Sequence, residues 1–191
     1  MPNWCSNSVI LRHNDPAEIS RAAEAFRRGE FLSQLVPDPS GEENLGWAVA
    51  NWGTKWDVGG DGHEAVVTDN GQSACFNFDS AWAPPITAYE HMTQQGFRIE
   101  AMYYESGCGF AGMWDSEFGD DYYELNNMDS GDVAQQLPSD LNNAFGISES
   151  MAMYEQDNAE PEPLTEWYTT GVEAAKLEPH VLTTKLETDH V

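Results

Sequence analysis

Apolar and polar positions along this chain follow two different periods. In SNSVILRHN (6–14), Val9 and Leu11 share one side and Ile10 takes the other, the alternation of a strand. The period then changes. Ile19, Ala22, Ala23 and Phe26 fall at i, i+3, i+4 and i+7, one stripe of a helix. Asp15 can cap that helix, Pro16 suits its first position, and Glu18 completes a capping box. Arg27 and Arg28 suit its C-terminal end, and Gly29 stops it. FLSQLVPDPSGEENLG reads as a connection broken by Pro37 and Pro39. WAVANWGTKWD (47–57) fits a short helix or a strand equally, and VGGDG is a turn. EAVVTDN and SACFNFDSAW are two strands joined at Asp69-Asn70-Gly71, and Asn-Gly is a strong hairpin signal. APPITAYEHMTQQG is a second helix, with Ile86, Tyr89 and Met92 inward and Gly96 closing it. Three further strands follow at 97–105, 110–118 and 122–125, turned first at Gly107 and Gly109 and then at Gly119-Asp120-Asp121.

Helices alternating with strand pairs predict an α+β fold of the ferredoxin-like kind, a mostly antiparallel sheet with two helices on one face. The predicted domain spans 1–127, with an insert at about 30–60. An acidic helical extension is expected over 128–158, from MDSGDVAQQLPSDLNNAFG and SESMAMYEQD. A linker and C-terminal segment, 159–191, completes the chain; Leu164, Trp167 and Tyr168 have helical spacing that would let it dock back.

Charge changes the picture. Thirty-three acids face eight bases, a formal net charge of -25. Residues 99–175 contain no Lys or Arg and seventeen Asp and Glu. Such asymmetry disfavours direct contact with nucleic acid or an anionic membrane, since both need cationic surface, and points to a basic partner. Cys5, Cys75 and Cys108 are odd in number and lack CxxC spacing, which fits a reducing compartment. No start typical of a signal peptide and no membrane-length apolar run stand out, so a cytoplasmic protein is expected.

MPNWCSN at the start, NWGTKWD (51–57) in the middle and the aromatic-rich strand block after it resemble the YubB-type ferredoxin-like domain of phage and conjugative-plasmid proteins. The resemblance covers roughly 1–127 and rests chiefly on the two Asn-Trp motifs. It implies a ferredoxin-like fold, a mobile-element origin and hence a bacterial host cytoplasm. It supplies no catalytic residues.

Two constellations remain. Asp115, Glu117, Asp120, Asp121, Glu124, Asp129 and Asp132 form the candidate partner-binding set. Asp115 and Glu117, two apart on a predicted strand, would share a face at about 6.6–6.8 Å. Asp129 and Asp132 sit at a predicted helix start, where negative charge is favoured. Carboxylates held on ordered elements match nucleic-acid phosphates in sign and density, so the expected partner is a basic nucleic-acid-binding protein or complex of the host; the alternative is a surface that only keeps the chain soluble. With a mobile-element origin, a CRISPR or restriction complex is the expected target. The second constellation is a pocket of Trp52, Lys55, Trp56 and His63, which would make the chain a small-ligand-binding or enzymatic protein. The alternative there is that the tryptophans only fill space. No catalytic residue, metal site or cofactor motif is assigned: DVGGDGHE lacks calcium-loop spacing, one His cannot build a zinc site, and acids flank Cys108.

Overall fold

The computed structural model describes residues 2–41 and 44–159. The expected linker and C-terminal segment therefore lies, after Ala159, outside the described residues. Residues 1–155 form one compact unit; of 156–191, only 156–159 are described.

β1 (Trp4–Arg12) leads into α1 (Pro16–Arg28), α2 (Phe31–Leu35) and α3 (Leu45–Trp52). β2 (Val66–Thr68), β3 (Ser73–Ala81), α4 (Ile86–Gln94) and β4 (Arg98–Glu105) follow. β5 (Phe110–Asp115), β6 (Gly119–Glu124), α5 (Ser130–Gln136), α6 (Ser139–Phe145) and α7 (Ile147–Asn158) complete the order. The six strands make one antiparallel sheet, β2-β3-β1-β4-β5-β6, so the α+β class holds.

Alternation along each strand divides its residues between the two faces. Val9 and Leu11 of β1, Phe76 and Phe78 of β3, and Ile99 and Ala101 of β4 turn to the first face, against Ile19 and Phe26 of α1 and Tyr89 and Met92 of α4. Phe26 centres this core, its ring 5.0 Å from Phe76 and 5.6 Å from Phe31, both edge-on. Met102, Tyr104, Ala111 and Met113 turn to the second face, where Val133, Leu137, Leu141 and Ile147 of α5–α7 cover the β4–β5–β6 half. The acidic helices are thus a third layer on the sheet.

Local chemistry explains most boundaries. α1 begins where Asp15 accepts the Ala17 N–H at 2.9 Å and ends at Gly29, φ 73°. The expected capping box does not form, because Glu18 ion-pairs with Arg21 instead of reaching back. The 47–57 ambiguity resolves as the end of α3, capped by Asn44, followed by a turn at Gly53. α2 replaces part of the expected connection: Asp57, distant in sequence, accepts the Leu32 and Ser33 N–H groups at 2.6 and 2.9 Å and satisfies a helix start that no neighbouring residue caps.

Candidate functional site

The β5–β6 turn sets the geometry of the acidic residues. It lies at 116–118, not at the expected 119–121. Asp115 ends β5, and its Oδ1 accepts the Glu117 N–H at 2.7 Å and the Phe118 N–H at 3.3 Å. Gly119, φ 88°, then starts β6. Asp115 and Glu117 therefore do not share a strand face, and Glu117 pairs with Arg98 at 2.9 Å.

Asp120 and Asp121 are neighbours on β6, so they point to opposite faces. Asp120, Tyr122 and Glu124 line the first face, and Asp121 the second. On the second face, strand register brings carboxylates together that are far apart in sequence. Asp121 stands opposite Met113, which stands opposite Met102, which stands opposite Ser8. In the next row Asp115 faces Glu100, and Glu100 faces Ile10. The result is a groove of about 540 Å³, its floor Ile10, Met102 and Met113, its walls Glu100, Asp115, Asp121 and Asp140. Phe118, 89% exposed, stands at its rim. Glu100 and Asp140 are groove members outside the candidate set. The usable signal for Glu100 was its pairing with Asp115 across the β4–β5 hairpin.

Several acids of the candidate set have structural duties. Asp129 accepts the Asp132 N–H at 2.8 Å and Asp132 reaches back to the Asp129 N–H at 3.4 Å, a reciprocal cap on α5. Glu155 on α7 accepts from Ser130 at the same helix start. Asp121 and Glu124 receive no hydrogen bond and no ion pair from the described residues, and both are exposed. Of the ten carboxylates in 115–155, Glu117 alone is ion-paired among the described residues. The bases are spent elsewhere: Arg12, Arg21, Arg27 and Arg28 pair with Glu100, Glu18, Glu64 and Glu30. The acids thus form a band around the β6 edge, unpaired among the described residues, and over α5–α7, rather than a single face. Charge along an exposed edge strand also blocks pairing with another sheet.

Asp120 is tied into the sheet. A Cβ at Gly112 would lie 2.2 Å from the Tyr103 hydroxyl oxygen, so only glycine lets that ring cross β5. The hydroxyl then donates to Asp120 Oδ1 at 2.7 Å. Partial burial raises the Asp120 carboxyl above its ordinary value; the Tyr103 hydrogen bond opposes this and the Asp121 charge adds to it. A carboxyl raised on folding stabilises below its unfolded value, and that contribution is lost as pH rises through the folded value. Asp120→Asn keeps an acceptor for Tyr103 and removes the charge. Its melting temperature should exceed wild type by about 1–2 °C at pH 7, a small gain because the group is largely solvent-screened, and should match wild type below about pH 4. A lower melting temperature at pH 7 would contradict this.

The second constellation is partly assembled. Trp52, Lys55 and Trp56 line a cleft of about 670 Å³ beside α2 and α3. His63 does not line it. The Gly60 N–H donates to the Phe26 carbonyl at 2.8 Å, which lays 58–63 on the end of α1, and the His63 ring packs edge-on against Phe26 at 5.8 Å. Cys5 is buried in the first-face layer, and burial, with the Glu105 charge second, pushes its thiol up to about 12, far from a thiolate at neutral pH. Among the described residues, no three His, Cys, Asp or Glu side chains are placed to hold a metal ion, and no helix is long and apolar enough to cross a membrane. Comparison with known proteins finds no matching family model, no matching curated protein and no matching solved structure.

Proposed function

We propose that this chain is an acidic binding protein that competes with nucleic acid for the cationic cleft of a host defence complex, a CRISPR surveillance complex or a restriction enzyme. One observation carries the reading: nine of ten carboxylates in 115–155 lack a basic partner among the described residues, yet they sit on hydrogen-bonded strands, helices and turns. Fixed anions without internal counter-charge attract Lys and Arg that normally hold phosphates. The groove adds apolar surface: Met102, Met113 and Ile10 offer contact for the aliphatic stems of those same side chains, and Phe118 is an exposed anchor at its rim.

The proposed setting is a phage or conjugative plasmid, acting in the bacterial cytoplasm, through the YubB-type resemblance at MPNWCSN and NWGTKWD. The proposed core is ferredoxin-like. Its support is the order β2-β3-β1-β4, with α1 and α4 between strands that are not sheet neighbours; β5 and β6 extend the β4 edge. The second reading, a small-ligand-binding or enzymatic protein, is favoured by the cleft that Trp52, Lys55 and Trp56 share.

The test is displacement of labelled duplex DNA from a purified CRISPR surveillance complex and from a purified restriction enzyme. Displacement is expected from at least one, with affinity falling about tenfold or more between about 50 and 200 mM NaCl. Failure against both at low salt, or displacement indifferent to salt, would count against competition by charge.

A further inference from the structure

We propose that the cleft beside α2 and α3 binds a small anionic molecule with a planar ring, its phosphate or carboxylate on the Lys55 ammonium and its ring against the indoles of Trp52 and Trp56.

The sign of the ligand follows from which charges in the cleft are already satisfied. Among the described residues three acids line it, Glu30, Asp38 and Asp57. Asp57 accepts three backbone N–H groups, from Leu32, Ser33 and Val58. Glu30 pairs with Arg28 at 3.0 Å. Asp38 Oδ1 accepts the Ser40 N–H and hydroxyl, both at 2.8 Å, while its Oδ2 is shielded from solvent and has no hydrogen-bond partner among the described residues. Asp57 and Glu30 are thus satisfied within the chain, and the unpartnered Asp38 oxygen is closed off from solvent. Lys55 differs. It is the one base among the described residues without a carboxylate partner, in a protein where acids outnumber bases fourfold. Its ammonium lies 4.5 Å from the Trp56 ring centroid and 4.8 Å from that of Trp82. Two ring faces hold the nitrogen in place but accept none of its three N–H groups as an oxygen would.

The surroundings hold Lys55 there. Thr54 donates to the Ala81 carbonyl at 2.9 Å, which ties the turn to the end of β3. Trp82 follows with φ 76°, a conformation that bulky residues rarely adopt and that costs about 1–3 kcal/mol. Strain of this kind persists where the surrounding structure enforces it, and here it sets the second indole against Lys55. Trp56 is 44% exposed, and Trp4 rests on it at 5.9 Å. Trp52 is fixed by its indole N–H donating to the Val36 carbonyl at 2.8 Å, with Trp47 edge-on at 5.6 Å. Trp52 also packs against the first-face core, so of the two rings Trp56 is the more open. Flat apolar walls with one unpaired cation suit a ring that carries an anion, and the volume falls in the range of small-molecule sites. The site uses none of the acids of the β6 band.

Adenosine monophosphate is the probe, with 4-hydroxybenzoate as a carboxylate alternative. Adenosine supplies a ring without the anion, inorganic phosphate an anion without the ring, and agmatine a cation. Binding is followed by calorimetry and by the indole N–H resonances of Trp52 and Trp56 at physiological salt. Saturable binding is expected for at least one ring anion, at least tenfold tighter than adenosine or phosphate, with both indole resonances moving. Lys55→Met keeps the stem over the rings and should weaken the ring anion at least tenfold while leaving adenosine unchanged; Lys55→Arg should retain binding. The Asp121, Glu124 and Asp140 to lysine variant should retain it too. No saturable binding of either ring anion, equal binding by Lys55→Met, or agmatine binding more tightly would overturn the assignment.

Discussion

Changing Asp121, Glu124 and Asp140 together to lysine should cut displacement of DNA from the host complex by about a hundredfold. These three are chosen because the fold does not need them. Asp121 and Asp140 form walls of the groove, Glu124 is exposed on the β6 edge, and none holds a hydrogen bond or ion pair with its side chain among the described residues. Asp115, Asp120, Asp129 and Asp132 are left alone, since each caps a turn or helix or accepts a hydroxyl. Each reversal removes one attraction and adds one repulsion. With exposed pairs at up to about 1 kcal/mol, three reversals give roughly 3 kcal/mol. A matched variant separates local mimicry from bulk charge. Glu24, Asp61 and Glu90, exposed residues outside the band, changed to lysine give the same net charge. That chain should lose only a few-fold, through slower association. Equal losses in both variants would reduce the band to a source of long-range steering, and no loss in either would remove it from binding altogether.

Gly59→Ala should destabilise the protein by about 3 kcal/mol, a fall in melting temperature of about 6–12 °C. Gly59 has φ 94°, and a Cβ there would lie 2.1 Å from the Phe26 carbonyl oxygen. The nearest atom is backbone in the last turn of α1, so it cannot swing aside as a side-chain tip can. Relief requires moving α1, whose Phe26 fills the first-face core, or moving 57–60, whose Asp57 caps α2 and lines the cleft. Gly62→Ala is the control. Gly62 has φ 86°, nearly the same backbone strain, but no atom lies within 4 Å of its added Cβ. It should lose only about 1 kcal/mol. If thermal or urea melts show the two variants equally destabilised, close packing at Gly59 is not what fixes the chain there.

What the amino-acid order determined by itself was local. The Asp15 and Gly29 ends of α1, the Asp69-Asn70-Gly71 turn between β2 and β3, and the inward side of α4 each depend on residues within a few positions of one another, so pattern and cap chemistry suffice. The charge imbalance needed no structure either, since no base exists in 99–175 to be brought near. The Asn-Trp segment disclosed three of its four pocket residues, because Trp52, Lys55 and Trp56 share one short stretch. Tertiary structure decided the rest, through contacts between distant residues. Asp115 placed the β5–β6 turn three residues early, so 119–121 became strand rather than turn, and Asp120 and Asp121, as successive strand residues, parted to opposite faces. Asp57 made a helix of 31–35 from across the insert. Phe26 claimed His63, and strand register set Glu100 beside Asp115. Short-range periodicity selects the kind of element, but only long-range pairing assigns its faces, and the faces decide which carboxylates stand together.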